Sequence, residues 1–506
     1  LKNSLFFFFC TGLFISTILI SCRSKNKADL LKDKFAAREK LAAQYCGSCH
    51  LPPDPSLLDK ETWTDRVLPA MAKQLGLEVW QNKQYYQNEN SAIAYPDWME
   101  IIAFYDSLAP SQLPLPEKPT EAVQGWANFT LKKPKENKSE TATTTLTIFD
   151  QKSKTIFTSN SETAGLYQWN HSLIQNKFSE LPSPAVQMNF EPDRAILTCI
   201  GEMKALDIPS GNILSAKNMS EKPDYKIIAS NFIRPVHTSS SDFDKNGLTD
   251  YVICSFGHNK GGLYWLKQRE NKTFETLPIR ETAGATQSVT GDFNNDGWPD
   301  IMALFAHGDE GIWLFTNNQK GGFESKNILR FPPVYGSSSF QMADMNGDGA
   351  LDIVYTAGDN SDYSRILKPY HGIYIFGNKG NFTFEKTFFY PVNGSTKAMV
   401  TDFNMDGQKD IAAIAFFADF EKKPSESFLY FENTGGGKKA NWDFKPFAIP
   451  IHHNGRWICM DTNDYDGDGD QDIVLGNYAK GFLNEEHFQP NWNLHLPFVI
   501  LENTLK

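Results

Sequence analysis

The strongest constraint in this sequence is a nine-residue pattern, D-x-[DN]-x-[DN]-G-x-x-D. It occurs five times, at residues 242–250, 292–300, 344–352, 402–410 and 464–472, with starts 50, 52, 58 and 62 residues apart. Each copy runs into an apolar stretch such as Ile353-Val354-Tyr355 or Ile473-Val474-Leu475. A unit that recurs in this way, with insertions of growing length, is an array of one supersecondary element.

Oxygen ligands at positions one, three, five and nine, with a glycine at six where the backbone turns, can wrap a hard cation, and Ca²⁺ fits best. The candidate ligands are Asp242, Asp244, Asn246 and Asp250; Asp292, Asn294, Asp296 and Asp300; Asp344, Asn346, Asp348 and Asp352; Asp402, Asn404, Asp406 and Asp410; and Asp464, Asp466, Asp468 and Asp472. An EF-hand shares the opening spacing but closes with a Glu at position twelve, between helices. Here the acid closes at nine and an apolar run follows at once, so the loop joins two strands. The alternative is an Asp/Asn/Gly-rich hairpin turn without metal. Against it stand five in-phase clusters of carboxylates that repel one another when uncompensated.

Each later unit reads strand, acidic loop, apolar strand, aromatic-rich strand, Asn/Gly turn and fourth strand, as in Ile373-Tyr374-Ile375-Phe376 and Phe382-Thr383-Phe384. Two earlier units, 143–184 and onward to about 225, keep the strands but not the ligands, as Asp150-Gln151-Lys152-Ser153-Lys154 shows. Seven units of four strands predict a mainly β fold, a seven-bladed β-propeller; six blades with an irregular cap is the alternative. The last unit stops after Phe498-Val499-Ile500-Leu501, and the stretch 126–133 reads as its missing strand. An N-terminal strand is therefore expected to complete the seventh blade and leave no open edge. In sequence the units resemble the FG-GAP/VCBS repeats of integrin α-chains and many secreted bacterial proteins, strongly over 235–503 and weakly over 120–235. That resemblance implies calcium held between the first two strands of a blade.

The chain of 506 residues has room for more than this one domain. Its net charge of −11 would come close to zero with five Ca²⁺ bound, and it has no Lys/Arg block able to grip phosphates, so no nucleic-acid partner is expected.

Lys2, an apolar stretch from Leu5 to Ile20, and Leu19-Ile20-Ser21-Cys22 read as a signal peptide over 1–21. Its end resembles the lipobox of bacterial lipoproteins. The resemblance implies a lipid on the Cys22 sulfur, a membrane partner, and a place in the cell envelope, in the periplasm or at the outer membrane. An ordinary signal or an uncleaved anchor is the alternative. Residues 22–28 would be a tether.

Seven cysteines are too few to hold an exported chain of this size by disulfides. Cys199, Cys254 and Cys459 sit in or beside apolar β-runs and are expected in the core. With Cys10 in the signal and Cys22 at its end, the remaining pair lies in Cys46-Gly47-Ser48-Cys49-His50, the C-x-x-C-H pattern of covalent haem attachment, with two thioethers and an imidazole under the iron. Zinc would need a second Cys or His pair nearby, and a thioredoxin-like motif would need a βαβ context; neither is present. Residues 29–110 resemble a small all-α class I cytochrome c domain. A helix is expected over 29–45, with Leu30, Phe35, Leu41 and Ala42 on one side, and the stretch opening at Pro96 resembles the last helix of that family. The resemblance makes Met71 the expected sixth ligand, with Met99, expected in the core, as the alternative. A Pro-rich link over 111–121 leads to the propeller, 122–506.

These parts suggest a haem c electron-transfer protein whose calcium-stabilised propeller binds a redox partner or substrate. Two alternatives stand beside it. One is a dehydrogenase that oxidises a small molecule or sugar and passes the electrons to its own haem; the other is an envelope binding or adhesion module. No G-x-S-x-G, H-E-x-x-H or GxGxxG pattern selects an enzyme chemistry. The loops opposite the acidic ones are expected to carry Arg234, His237, His258, Lys260, His307, Asp309, Lys397, His452, His453 and Arg456. A funnel around His237, His307, His452 and Arg456 is the candidate site for an anionic substrate, a transition metal or a proton-coupled redox step. Ordinary polar loop residues are the alternative.

Overall fold

The computed structural model describes residues 27–219, 223–361, 366–435, 442–481 and 489–505. The expected signal peptide and Cys22 lie outside these residues. Seven sheets follow one another as blades 1 to 7, each of four strands except blade 6, which takes a fifth. They cover 144–180, 185–232, 235–280, 285–330, 337–391, 395–448 and 457–503, and the last is completed by Phe129–Lys132. The chain is therefore mainly β and a seven-bladed propeller.

Strand order within each blade follows chain order, and the first strands of neighbouring blades pack on one another around the axis. Second strands such as Asp300–Phe305, Asp410–Ala415 and Asp472–Asn477 are buried along their whole length. They lie between adjacent sheets, which is why the sequence shows continuous apolar runs there instead of alternation. Fourth strands such as Phe323–Arg330 are largely exposed at the rim.

The ring closes as the sequence suggested. Phe129–Lys132 pairs antiparallel with Phe498–Asn503, with Phe129 opposite Asn503 and Lys132 opposite Ile500. This joins the two ends of the ring and covers the edge that blade 7 would otherwise expose. Just before it, Val123–Gln124 adds in parallel to Phe444–Ala448 of blade 6. Upstream, Lys118 pairs with Glu426, and the Tyr390 hydroxyl donates to the Thr120 carbonyl at 2.8 Å. The Pro-rich link is thus laid against blades 5 and 6.

Ahead of the ring, helices Lys27–Cys46, Leu68–Gln74 and Tyr95–Leu108 surround a core that includes Trp63, Leu68, Trp98, Ile101 and Tyr105. Tyr95–Leu108 opens with Pro96 at its first turn, where a missing N–H costs nothing. Two expectations need correcting. Along Lys27–Cys46, Leu41 and Ala42 do pack inward, but Phe35 is 37% exposed; Arg38 beside it binds Glu100 instead. Met99 lies inside the last helix as expected but is 39% exposed, so it is not a core residue. The helical unit sits on the propeller face opposite the acidic loops. Tyr370 donates to the Leu57 carbonyl at 2.9 Å, and Val334 and Ile366 pack against the helical core.

Candidate functional site

All five acidic loops join the first and second strands of blades 3 to 7 and share one geometry. The first aspartate folds back on the loop: Asp242 accepts from Asn246 and Gly247 N–H at 3.0 and 2.8 Å, and Asp402 from Asp406 and Gly407 at 3.1 and 2.8 Å. Positions four and six are both left-handed, for example Lys245 (φ 55) with Gly247 (φ 82) and Met405 (φ 58) with Gly407 (φ 88). Glycine at six meets that requirement without strain. In two loops one oxygen from each of three aspartates lies within 4.8 Å of the others: Asp242, Asp244 and Asp250, and Asp464, Asp466 and Asp472. The arrangement matches the hard, oxygen-rich donor set that Ca²⁺ takes.

The aspartate at position nine has a second task that its spacing alone did not reveal. Asp472 accepts from Tyr465 N–H and Asn503 N–H, both at 2.7 Å, and Asp300 from Phe293 and Asn317 N–H at 3.1 and 2.8 Å. It staples its own loop to the end of the third strand. Burial pushes Asp410 and Asp472 up to about 6. In the fifth loop Asp470, only 2% exposed, has no hydrogen-bond partner on either oxygen among the described residues. Burial and then the charges of Asp468 and Asp472 push it up to about 7. A cation is the physical complement such a loop lacks.

On the opposite face the expected funnel residues occupy separate settings. His237 and Lys397 are not loop residues: each is the third residue of a first strand. At that position side chains reach the backbone of the next blade. Thr238 N–H donates to Gln187 Oε1, Ser288 N–H to His237 Nδ1 at 3.4 Å and Phe340 N–H to Gln287 Oε1 at 3.2 Å, while Lys397 Nζ donates to the Met460 carbonyl at 2.8 Å. His237 is thus part of an inter-blade collar, and burial, with the Lys397 charge, lowers it to about 3, so it stays neutral.

His258 and His307 stand together on blades 3 and 4, ring centroids 5.5 Å apart. Arg234 lies beside them over Phe256, at 5.0 Å. His452 and His453, 4.0 Å apart, lie between blades 6 and 7, across the ring. Arg456 is 1% exposed; it donates to the Phe416 and Gly481 carbonyls at 2.9 and 2.7 Å, and its guanidinium lies 3.7 Å from the Phe416 ring centroid. The contacts thus join His258 to His307 and His452 to His453, while His237 and Arg456 are each held by backbone groups of their own surroundings.

The C-x-x-C-H segment follows Lys27–Cys46 directly. Cys46 and Cys49 are in no disulfide among the described residues, and burial pushes the Cys46 thiol up to about 11. His50 Nδ1 is 3.0 Å from the Leu51 carbonyl, which holds the proton on Nδ1 and leaves Nε2 as the lone-pair nitrogen. Gly47 is required here, because a Cβ would come within 2.2 Å of the Ala43 carbonyl oxygen. The buried indole N–H of Trp98 has no acceptor among the described residues. Met71 packs on the edge of the helical core, whereas Met99 is turned toward solvent. Two free thiols, an oriented imidazole and a half-buried thioether form a donor set that fits haem c.

Burial lowers the basicity of His50, against the smaller opposing pull of the Leu51 carbonyl and the Asp309 charge, with the Arg330 charge of blade 4 adding slightly to the lowering. Arg280 and Arg330 had drawn no attention in the sequence. Each lies at the end of a fourth strand, more than twenty residues from Asp309, and nothing local marks it.

Residues 242–303 and 292–355 match the FG-GAP-like repeat family, over the span of the first three acidic loops. The chain is similar to a T-cell immunomodulatory protein homolog of Plasmodium falciparum, 30% identical over 184 residues, covering 33% of this chain and 26% of that protein. It is also similar to integrin alpha-PS5 of Drosophila melanogaster, 38% identical over 157 residues, 28% of this chain and 15% of that one. The chain spans about a quarter or less of the length of the curated relatives it matches. Among solved structures, BBS1N in complex with ARL6DN covers 74% of this chain and 98% of its own at 8% identity and a TM-score of 0.44. An ancestral GH74 enzyme covers 75% and 52% at 9% identity and 0.45. Both values are too low to bear on what this chain does. By its repeats and its architecture, the chain carries FG-GAP-like repeats on a seven-bladed β-propeller.

Proposed function

We propose that this protein is a haem c electron-transfer protein of the cell envelope, in which a calcium-stabilised propeller supports a class I cytochrome-like helical unit and presents a surface to a redox partner or substrate. The observation that carries the reading is the C-x-x-C-H segment, with both thiols outside any disulfide among the described residues and His50 turned so that Nε2 is available. Haem c bound there would supply one-electron transfer. Cys46 and Cys49 would hold it covalently, His50 would ligate the iron, and Met71 is the better-placed candidate for the sixth position. The acidic loops would hold Ca²⁺ and keep the ring rigid beneath the helical unit. Export and lipidation at Cys22 belong to the same reading, since haem c is attached outside the cytoplasm.

The test is to produce the chain together with a cytochrome c maturation system and look for haem that survives denaturing electrophoresis. Covalent haem in the wild type, and its loss in Cys46→Ala and Cys49→Ala, is expected; a wild-type chain that carries none overturns the reading. Reduction of the loaded protein by sugars or small alcohols, with no partner protein present, would move the assignment to a dehydrogenase.

A further inference from the structure

The acidic loops are tied to the propeller through the end of the third strand of their own blade. In four of them the aspartate at position nine accepts from the backbone N–H of an asparagine there: Asp300 from Asn317, Asp352 from Asn378 and Asp410 from Asn433 at 2.8 Å each, and Asp472 from Asn503 at 2.7 Å. The side chains of these asparagines divide into two kinds. Asn378 and Asn433 turn back on their own loops and donate to the Leu351 and Lys409 carbonyls at 3.0 and 3.1 Å. Asn317 and Asn503 do this too, through the Pro299 and Gln471 carbonyls, but each also crosses to the acidic loop of the preceding blade. Asn317 Nδ2 donates to the Phe243 carbonyl at 2.8 Å, and Asn503 Nδ2 to the Phe403 carbonyl at 2.6 Å.

Phe243 and Phe403 are the second residues of their loops, flanked by ligand positions one and three, and their own N–H groups donate to Asp250 and Asp410 at 3.3 and 3.0 Å. An unbroken chain of contacts therefore runs from position nine of one loop, through the backbone and amide of one asparagine, into the ligand set of the loop before it. Asn317 and Asn503 are buried, at 5% and 2% exposure, so neither amide can exchange these carbonyls for water without cost. Both partners are carbonyl oxygens, so each amide must face them with its nitrogen. Asn503 also stands opposite Phe129 of the closing strand, which places the relay of blades 6 and 7 at the joint of the ring. Among the described residues no asparagine at this position links the loop of blade 5 to that of blade 4 or blade 6.

We propose that the acidic loops work as two coupled pairs, blades 3 with 4 and blades 6 with 7, in which Asn317 and Asn503 carry the effect of a cation bound in one loop to the affinity of the other, while the loop of blade 5 fills on its own. The inference rests on the calcium reading above. A cation that draws the ligands of blade 7 together fixes Asp472, which fixes Asn503 and with it the Phe403 carbonyl between two ligands of blade 6. Ordering done for the first ion is then not repeated for the second, which gives positive coupling without any new contact. The coupling is reciprocal and, carried by one buried hydrogen bond, amounts to about a fivefold change in affinity. Asn317 and Asn503 are positioning residues. In blades 3 and 4 Lys245 also lies over the Trp298 ring, at 4.5 Å, and adds a second tie between the loops, so blades 6 and 7 give the cleaner test.

The experiment uses the full chain and reads each loop separately, as the free calcium concentration at which hydrogen exchange becomes protected at 344–352, 402–410 and 464–472. Asp466→Ala removes a ligand from blade 7. The expected result is that the midpoint for 402–410 in blade 6 rises about fivefold, while that for 344–352 in blade 5 stays where it was. In Asn503→Leu, which keeps the backbone N–H for Asp472 but not the amide, Asp466→Ala should no longer move 402–410. A blade 6 midpoint that Asp466→Ala leaves unchanged overturns the inference, and so does an equal shift in blades 5 and 6, which is what loss of charge alone produces. A shift that persists in Asn503→Leu overturns the part given to Asn503. The comparison of blades 5 and 6 decides the coupling even where Asn503→Leu does not fold. A wild-type chain in which calcium protects none of the loops removes the calcium reading as well.

Discussion

The two faces of the propeller differ in where they find their counter-charge. On the acidic face, blades 3 to 7 concentrate three or more carboxylates per loop, with single lysines beside some of them, such as Lys267, 2.7 Å from Asp244, and Lys154 near Gly467. On the opposite face the charged groups mostly bring partners of their own, such as Asp309 with two arginines. Blade 2 supplies an internal control. Its loop lies on the acidic face, yet Arg194 pairs with Glu191 at 2.7 Å and both reach the Tyr251 hydroxyl. In blade 2 one built-in cation faces one carboxylate, whereas each acidic loop gathers three or more carboxylates, and Lys267 meets only one of those in the first loop. The difference teaches that an acidic loop is read as a metal site by what fails to neutralise it, not by acidity alone.

The largest effect expected from this contrast is on removal of calcium. Each occupied loop contributes about 2.7 kcal/mol at a hundredfold excess over Kd, so chelation should lower the melting temperature of the ring by roughly 10 °C or more. Hydrogen exchange should quicken at 242–250 and 464–472 and stay unchanged at the Glu191–Arg194 turn of blade 2. Calorimetry that shows the same melting temperature with calcium and with chelator would break the comparison at its root.

Next is the closing aspartate. Asp472→Ala removes the acceptor for two backbone N–H groups and should cost about 2–5 kcal/mol, with or without calcium. Denaturant unfolding measures it. A cost seen only in the presence of calcium would make Asp472 a ligand and nothing more.

A third prediction sharpens the other face, where one carboxylate is poorly compensated. Glu310 is 1% exposed; Oε1 accepts from Ser337 N–H at 2.7 Å, and Oε2 has no partner among the described residues. Burial pushes it up to about 8, against the smaller opposing pull of Ser337 and the Lys368 charge. Its folded pKa lies above the unfolded value near 4.3, so the folded state binds the extra proton between the two, and stability falls as pH rises through that window. The expected loss is about 1–2 kcal/mol between pH 6 and 7.5. Glu310→Gln should flatten that slope in pH-dependent unfolding, and an unchanged slope would assign the titration elsewhere.

The smallest effect belongs to blade 2. Arg194→Met strips the built-in cation from Glu191 and should cost about 1 kcal/mol. Thermal unfolding that shows no loss would mean that this loop needs no counter-charge, and the contrast with blades 3 to 7 would weaken.

By itself the sequence determined the repeat, the number of blades, the strand that closes the ring, and the chemistry available in the acidic loops and the C-x-x-C-H segment. These are local properties: ligand spacing, a glycine at a left-handed position and apolar runs are written within about ten residues of one another. Tertiary structure alone decided what distant residues do together. Histidine periodicity could not tell that His237 belongs to a collar between blades, because its partner Ser288 lies on the next blade. Nor could it join Arg280 of blade 3 to Asp309 of blade 4, because that contact crosses from one blade to the next. The exposure of Phe35 and Met99 was hidden for the same reason: which side of a helix is buried depends on what packs against it, and here the first and last helices meet through Arg38 and Glu100.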